Sequence, residues 1–100
     1  MVRLEPIVNL LRFFVEKRQY SIVDRFANAL SSEVIEMALY EAVRTAKSAK
    51  DTGEKVELPD ENTIRAFINF VKSDISIARE VAIRALSQPK VEEIESKSET

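Results

Sequence analysis

The chain of 100 residues has no histidine and no cysteine, and only one glycine and three prolines. Without imidazole or thiol there is no general base poised near neutral pH, no thiolate nucleophile, no Cys/His zinc centre and no disulfide framework. Carboxylates, lysine and hydroxyls are the chemistry that remains, so the expectation is a protein that is not an enzyme and carries neither cofactor nor metal. A single glycine also excludes the glycine-rich phosphate loops, which need several. Long hydrophobic runs are missing as well. The most apolar early stretch, Ile7 to Val15, is interrupted by Asn9 and Arg12 and falls far short of the roughly 20 residues of a membrane span. The expectation is a cytoplasmic chain without a membrane role. Its lack of cysteine is compatible with a reducing compartment.

Neither sign of charge dominates. There are 15 Lys and Arg against 17 Asp and Glu, so no broad positive field is available to coat nucleic acid. Local strips decide any such contact. Apolar residues make up 45% of the chain, enough for a real core in one small domain.

Helical periodicity runs through nearly the whole sequence. Pro6 suits a helix start, where its missing N–H has no partner to lose. Ile7, Val8, Leu10, Leu11, Phe14 and Val15 then recur at helical spacing to about Arg18. Ser21 and Asp24 read as a capping pair for a short second helix whose buried face would be Ile22, Val23, Phe26, Ala27 and Leu30. Ser31 or Ser32 can cap a third helix to about Lys50, acidic at its start and basic at its end as the helix dipole prefers. Residues 51–60 hold the glycine and a proline and read as a loop, with Val56 and Leu58 suggesting a short extended piece.

Periodicity resumes from Glu61 to Gln88, with Ile64, Phe67, Ile68, Val71, Ile75, Ala78, Ala82 and Leu86 on one face. This is either one long helix or two. Asp74 falls inside the apolar arc, which favours a break at Ser73-Asp74. Pro89 stops the pattern, and 89–100 reads as a mobile acidic tail. The expected fold is all-α: a compact bundle of four or five helices over residues 1–88, with one non-helical loop at about 51–60. Residues 1–88 carry 13 basic and 13 acidic side chains, so this unit is neutral.

Three surfaces attract attention. Helix one is apolar around well over half its circumference, wider than an ordinary surface helix. Either it is central in the bundle, or Phe13 or Val8 faces a protein partner or a second copy of the chain. Helix three has a small inner face of Ala38, Ala42, Ala46 and Ala49 with Ile35 and Leu39. Its opposite face carries Met37, Tyr40, Arg44 and Lys47, a mixture suited to stacking and phosphate contact or to an ordinary snorkelled surface with Tyr40 against a neighbour. Finally Arg65, Asn69, Lys72, Ser76 and Arg79 would share one strip of a continuous helix. Its three cations would repeat at about 10.5 Å, able to follow a phosphate backbone but equally ordinary on a solvated face. The acidic group Glu54, Glu57, Asp60 and Glu61 could in principle bind Mg²⁺, but reads as a solvated loop.

The run from Tyr20 to Glu33, YSIVDRFANALSSE, together with Ala38 to Arg44, resembles the small α-helical subunit of archaeal type I-A CRISPR surveillance complexes. The run from Asp74 to Leu86, DISIARE followed by VAIRAL, is similar to that family's C-terminal helix. The resemblance implies a non-catalytic subunit of an RNA-guided DNA-targeting complex that helps hold the guide–target duplex or the displaced strand. Its implied partners are the other subunits and the crRNA or target DNA backbone. Guide pairing reads sequence in such complexes, and protein supplies backbone contacts. The family offers no short motif from which to carry over binding residues. Arg44, Lys47, Arg65, Lys72 and Arg79 as nucleic-acid contacts, and Val8, Phe13 and Tyr40 as partner contacts, come from the helical wheel alone. A helical adaptor or dimerisation module without a nucleic-acid role is the alternative.

Overall fold

The computed structural model describes residues 3–87. Five helices form among them: α1 (Glu5–Glu16), α2 (Ser21–Asn28), α3 (Ser32–Asp51), α4 (Glu61–Ser73) and α5 (Ser76–Ser87). No strand occurs among the described residues. The all-α expectation is met, with five helices. The expected tail at 89–100 lies outside the described residues.

The core joins all five helices in one cluster. α5 packs against both α1 and α2, α2 lies on α3, and α3 supports α4 and α1. Every residue in the buried set, among those described, is apolar. Phe26 of α2 and Phe67 of α4 stack with ring centroids 6.1 Å apart. Between these large side chains run small ones: Ala38, Ala42 and Ala46 on α3, and Ala78, Ala82 and Ala85 on α5. Small residues let helix axes approach closely. The wide apolar arc of α1 is explained by centrality, because Ile7, Val8, Leu10, Leu11 and Phe14 are all buried.

Helix ends account for several differences from the sequence reading. Ser21 does not cap α2. Tyr20, in a helical conformation, holds the cap position, and the Ser21 hydroxyl accepts a hydrogen bond from Arg25 Nη2 at 3.1 Å. The periodicity puts Leu30 on the buried face of α2, but the helix stops at Asn28 and Ala29 turns extended. The periodicity therefore fails before Leu30, which is 96% exposed. Ser31 caps α3, accepting from the Val34 N–H at 3.4 Å.

The break at Asp74 is real. Its N–H still donates to the Phe70 carbonyl at 2.9 Å, closing α4, while its carboxylate accepts from the Ser76 N–H and hydroxyl, at 3.1 and 2.6 Å, to open α5. The break alters the buried face only in part, keeping Ala78 and Ala82 in the core as expected. α5 buries Ala78, Val81, Ala82 and Ala85, and the expected core positions Ile75 and Leu86 are exposed instead. In the connection 52–60, Val56 and Leu58 are half-buried against the core without pairing as a strand.

α1 and α3 end alike. In each, the two N–H groups beyond the helix turn back onto carbonyls of the last turn: Arg18 to Val15 and Gln19 to Phe14, Gly53 to Lys50 and Glu54 to Ala49, at 2.9–3.1 Å. This Schellman arrangement needs a residue with positive φ just past the helix. Gly53 meets the need at φ 98°, and Arg18 meets it at φ 60°. An ion pair between Lys17 and Glu54 joins the two ends.

Candidate functional site

The outer face of α3 is open. Tyr40 is 41% exposed and Met37 72%. Arg44 and Lys47 are exposed further along the same face. One turn earlier the face is acidic, with Glu33 exposed and Glu36 half-buried. The helix thus carries apolar and acidic side chains over its first half and basic ones over its second. Arg25 of α2 reaches across to Glu41 in a two-pronged contact, at 3.0 and 3.2 Å. That hydrogen-bonded contact raises the Arg25 pKa and holds the Glu41 carboxyl below its ordinary value.

Arg65 and Lys72 lie exposed on α4, as a backbone-tracking strip requires. Arg79 sits beyond the break at Asp74, on α5, so the strip is divided between two helices and is not one continuous row. Its Nε donates to the Ala27 carbonyl at 3.3 Å, satisfying a group at the end of α2. The five basic residues are all exposed but occupy three helices.

The partner candidates separate clearly. Val8 is 2% exposed and belongs to the core. No partner can reach it without unfolding, which corrects the expectation placed on it. Phe13 is half-buried, its ring edge-on to Phe14 at 5.3 Å with the Lys17 ammonium above it at 5.3 Å. It walls an open groove of about 520 Å³ between α1 and residues 54–57. Arg12 lines the same groove, its Nε hidden from solvent without a partner and its Nη1 donating to Asn9 Oδ1 at 3.3 Å. Basic Arg12, Lys50 and Lys55 alternate there with Glu16, Glu54 and Glu57, so the groove offers no single-signed field to a phosphate chain.

The acidic loop is put to structural use. Glu54 is paired with Lys17, and the Asp60 carboxylate accepts from the Thr63 N–H at 2.7 Å to cap α4, which lowers the Asp60 pKa. No group of three or more Asp or Glu that could hold a metal ion occurs among the described residues. Nor is any helix there long and apolar enough to cross a membrane.

Sequence reasoning missed Leu30 and Val34. The periodicity gives Leu30 only as a buried face position of α2 and does not single out Val34, yet both are exposed, as is Met37. The signal lay in Ser31, whose capping role obliges Leu30 to stand outside both flanking helices.

Residues 10–57 match the family model of a CRISPR-associated protein, Cas_Csa5. The match contains the runs Tyr20 to Glu33 and Ala38 to Arg44 that carry the family resemblance, and agrees with it at the level of a CRISPR-associated protein. The matched segment runs from the middle of α1 through α2 and α3 to the loop, and so contains Phe13, Tyr40, Arg44 and Lys47. The run at 74–86 and the cations of α4 and α5 lie outside the Cas_Csa5 match. No curated protein and no solved structure matches the chain.

Proposed function

We propose that the protein is a non-catalytic, cytoplasmic small subunit of a type I-A CRISPR RNA-guided DNA-targeting complex. In this role it contacts the backbone of the guide–target duplex or of the displaced strand. The Cas_Csa5 match carries this reading, and the absence of His and Cys supports a non-catalytic role. Arg44 and Lys47 on α3, Arg65 and Lys72 on α4, and Arg79 on α5 supply the phosphate contacts. They act on the backbone, because guide pairing reads sequence in such complexes and protein supplies backbone contacts. With so few cations on a neutral domain, affinity outside the assembly is weak.

The test is reconstitution with guide RNA and the remaining effector subunits. The five-site alanine variant should enter the complex yet weaken its target binding equally for unrelated target sequences. Each lost contact should reduce the slope of log affinity against log salt by about 0.7–0.9. Undiminished binding would leave these side chains as an ordinary solvated surface, and a loss confined to certain targets would contradict backbone contact.

A further inference from the structure

The first half of α3 presents a surface that phosphate contact does not explain. Leu30 is 96% exposed, Met37 72% and Val34 38%, a density of uncovered large apolar side chains unusual for a small soluble domain. Val34 and Met37 lie on successive turns of α3, with Leu30 just ahead of its Ser31 cap, and two open grooves border them. One groove, about 390 Å³, lies towards the end of α2 and is walled by Asn28, Ala29, Leu30 and Val34. The other, about 480 Å³, holds Met37 and Tyr40 and is edged by Glu33 and Glu36. Exposed apolar side chains beside two grooves offer an incoming helix both knobs and places for its own.

The charges around these side chains favour one kind of occupant. Arg25 and Glu41 cancel in their two-pronged contact. Asp24, Glu33 and Glu36 make no ion pair among the described residues, and Arg44 stands only at the far edge. The rim is therefore net negative. It repels a phosphate backbone and complements a positively charged protein surface. Apolar anchors at the centre with charges at the rim are the usual anatomy of a protein interface.

We propose that Leu30, Val34 and Met37 dock an amphipathic helix whose apolar stripe is flanked by lysine or arginine, contributed by another protein subunit. This rests on the reading of the chain as a subunit and adds to it the face used and the chemistry of the neighbour. The protein contact and the basic pair Arg44 and Lys47 then occupy opposite halves of one helix. From Met37 to Lys47 the rise is about 15 Å.

Two experiments on the full chain, co-assembled with guide RNA and the other effector subunits, test it. The paired change Leu30→Glu with Met37→Glu should lower incorporation into the complex about ten-fold or more, the size expected when central apolar anchors become charged. Because both side chains face solvent, the melting temperature of the purified variant should stay that of the parent. Glu33→Gln with Glu36→Gln should weaken the salt dependence of incorporation. A benzophenone-bearing phenylalanine placed at Met37 should cross-link to a Lys- or Arg-flanked amphipathic helix of a different subunit. Cross-linking to nucleic acid, to a second copy of this chain or to an acidic segment overturns the proposal, as does no cross-link. If the Leu30/Met37 variant assembles like the parent, the docking face is wrong while the subunit reading stands. If the parent itself joins no guide-RNA complex, both fall.

Discussion

Arg18 occupies a position where glycine would serve better. It adopts φ 60° to complete the arrangement that Gly53 completes at the end of α3. A left-handed conformation costs a residue with a Cβ roughly 1–2 kcal/mol. Arg18→Gly removes that strain but gives the unfolded chain more freedom, which offsets about 0.4–1 kcal/mol. Arg18 is exposed, and its guanidinium makes no hydrogen bond or ion pair among the described residues, so no contact is lost. The net expectation is stabilisation by about 0.5–1 kcal/mol, or roughly 2–8 °C in melting temperature for a domain of this size. The mirror change supplies the control. A Cβ added at Gly53 meets nothing within 4 Å, so Gly53→Ala should destabilise through backbone strain alone, by about 1 kcal/mol. Urea titration followed by circular dichroism at the helical band reads both, with unchanged m-values showing that only stability moved. A destabilised or unaltered Arg18→Gly protein would refute the argument.

Phe67→Ala removes the ring stacked on Phe26 and should cost about 3–5 kcal/mol, a large share of a small domain's stability, measured by the same titration. Ala82→Leu should destabilise by about 1–3 kcal/mol, because the fully buried face of α5 has no room for a longer side chain, and differential scanning calorimetry would show the drop. Hydrogen bonding to Thr63 lowers the Asp60 pKa in the fold, so its contribution is present above about pH 3.9, the ordinary Asp value, and is lost as pH falls through the lower folded value. Asp60→Asn keeps an acceptor at the cap and should flatten that part of the acid denaturation profile.

What the sequence disclosed, it disclosed through periodicity and caps. The interiors of α1, α3 and α4 were legible because each keeps one phase over several turns. Asp74 was legible as a break, since a carboxylate inside an apolar arc has no satisfied place in a continuous helix. The consequence of that break is that Ile75 stands in the turn between two helices and Leu86 falls at the exposed edge of α5, while Ala78 and Ala82 of the same expected face stay buried. Leu30 failed for a related reason: its spacing from Phe26 counts only if the chain stays helical past Asn28. Val8 shows the limit for sites. A wide apolar arc marks both a surrounded helix and an interface, and only the placement of α5 against α1 separates them. The five cations were identifiable as exposed, but their distribution over three helices depends on tertiary packing that no local pattern encodes.

The face of α5 that enters the core consists of Ala78, Val81, Ala82 and Ala85, the least conspicuous residues of the chain. They act as spacers: their smallness sets how near the backbones of α1 and α2 come, within the one core cluster that also holds Phe14, Phe26 and Phe67. Tolerance to change is therefore unequal around the core. A trimmed aromatic leaves a void and costs the most, and an enlarged alanine must push against a helix to find room. In a domain this small a helix has nowhere to move without displacing the outer face it supports. Constraint on this protein's variation therefore falls also on positions with neither charge nor bulk to advertise it.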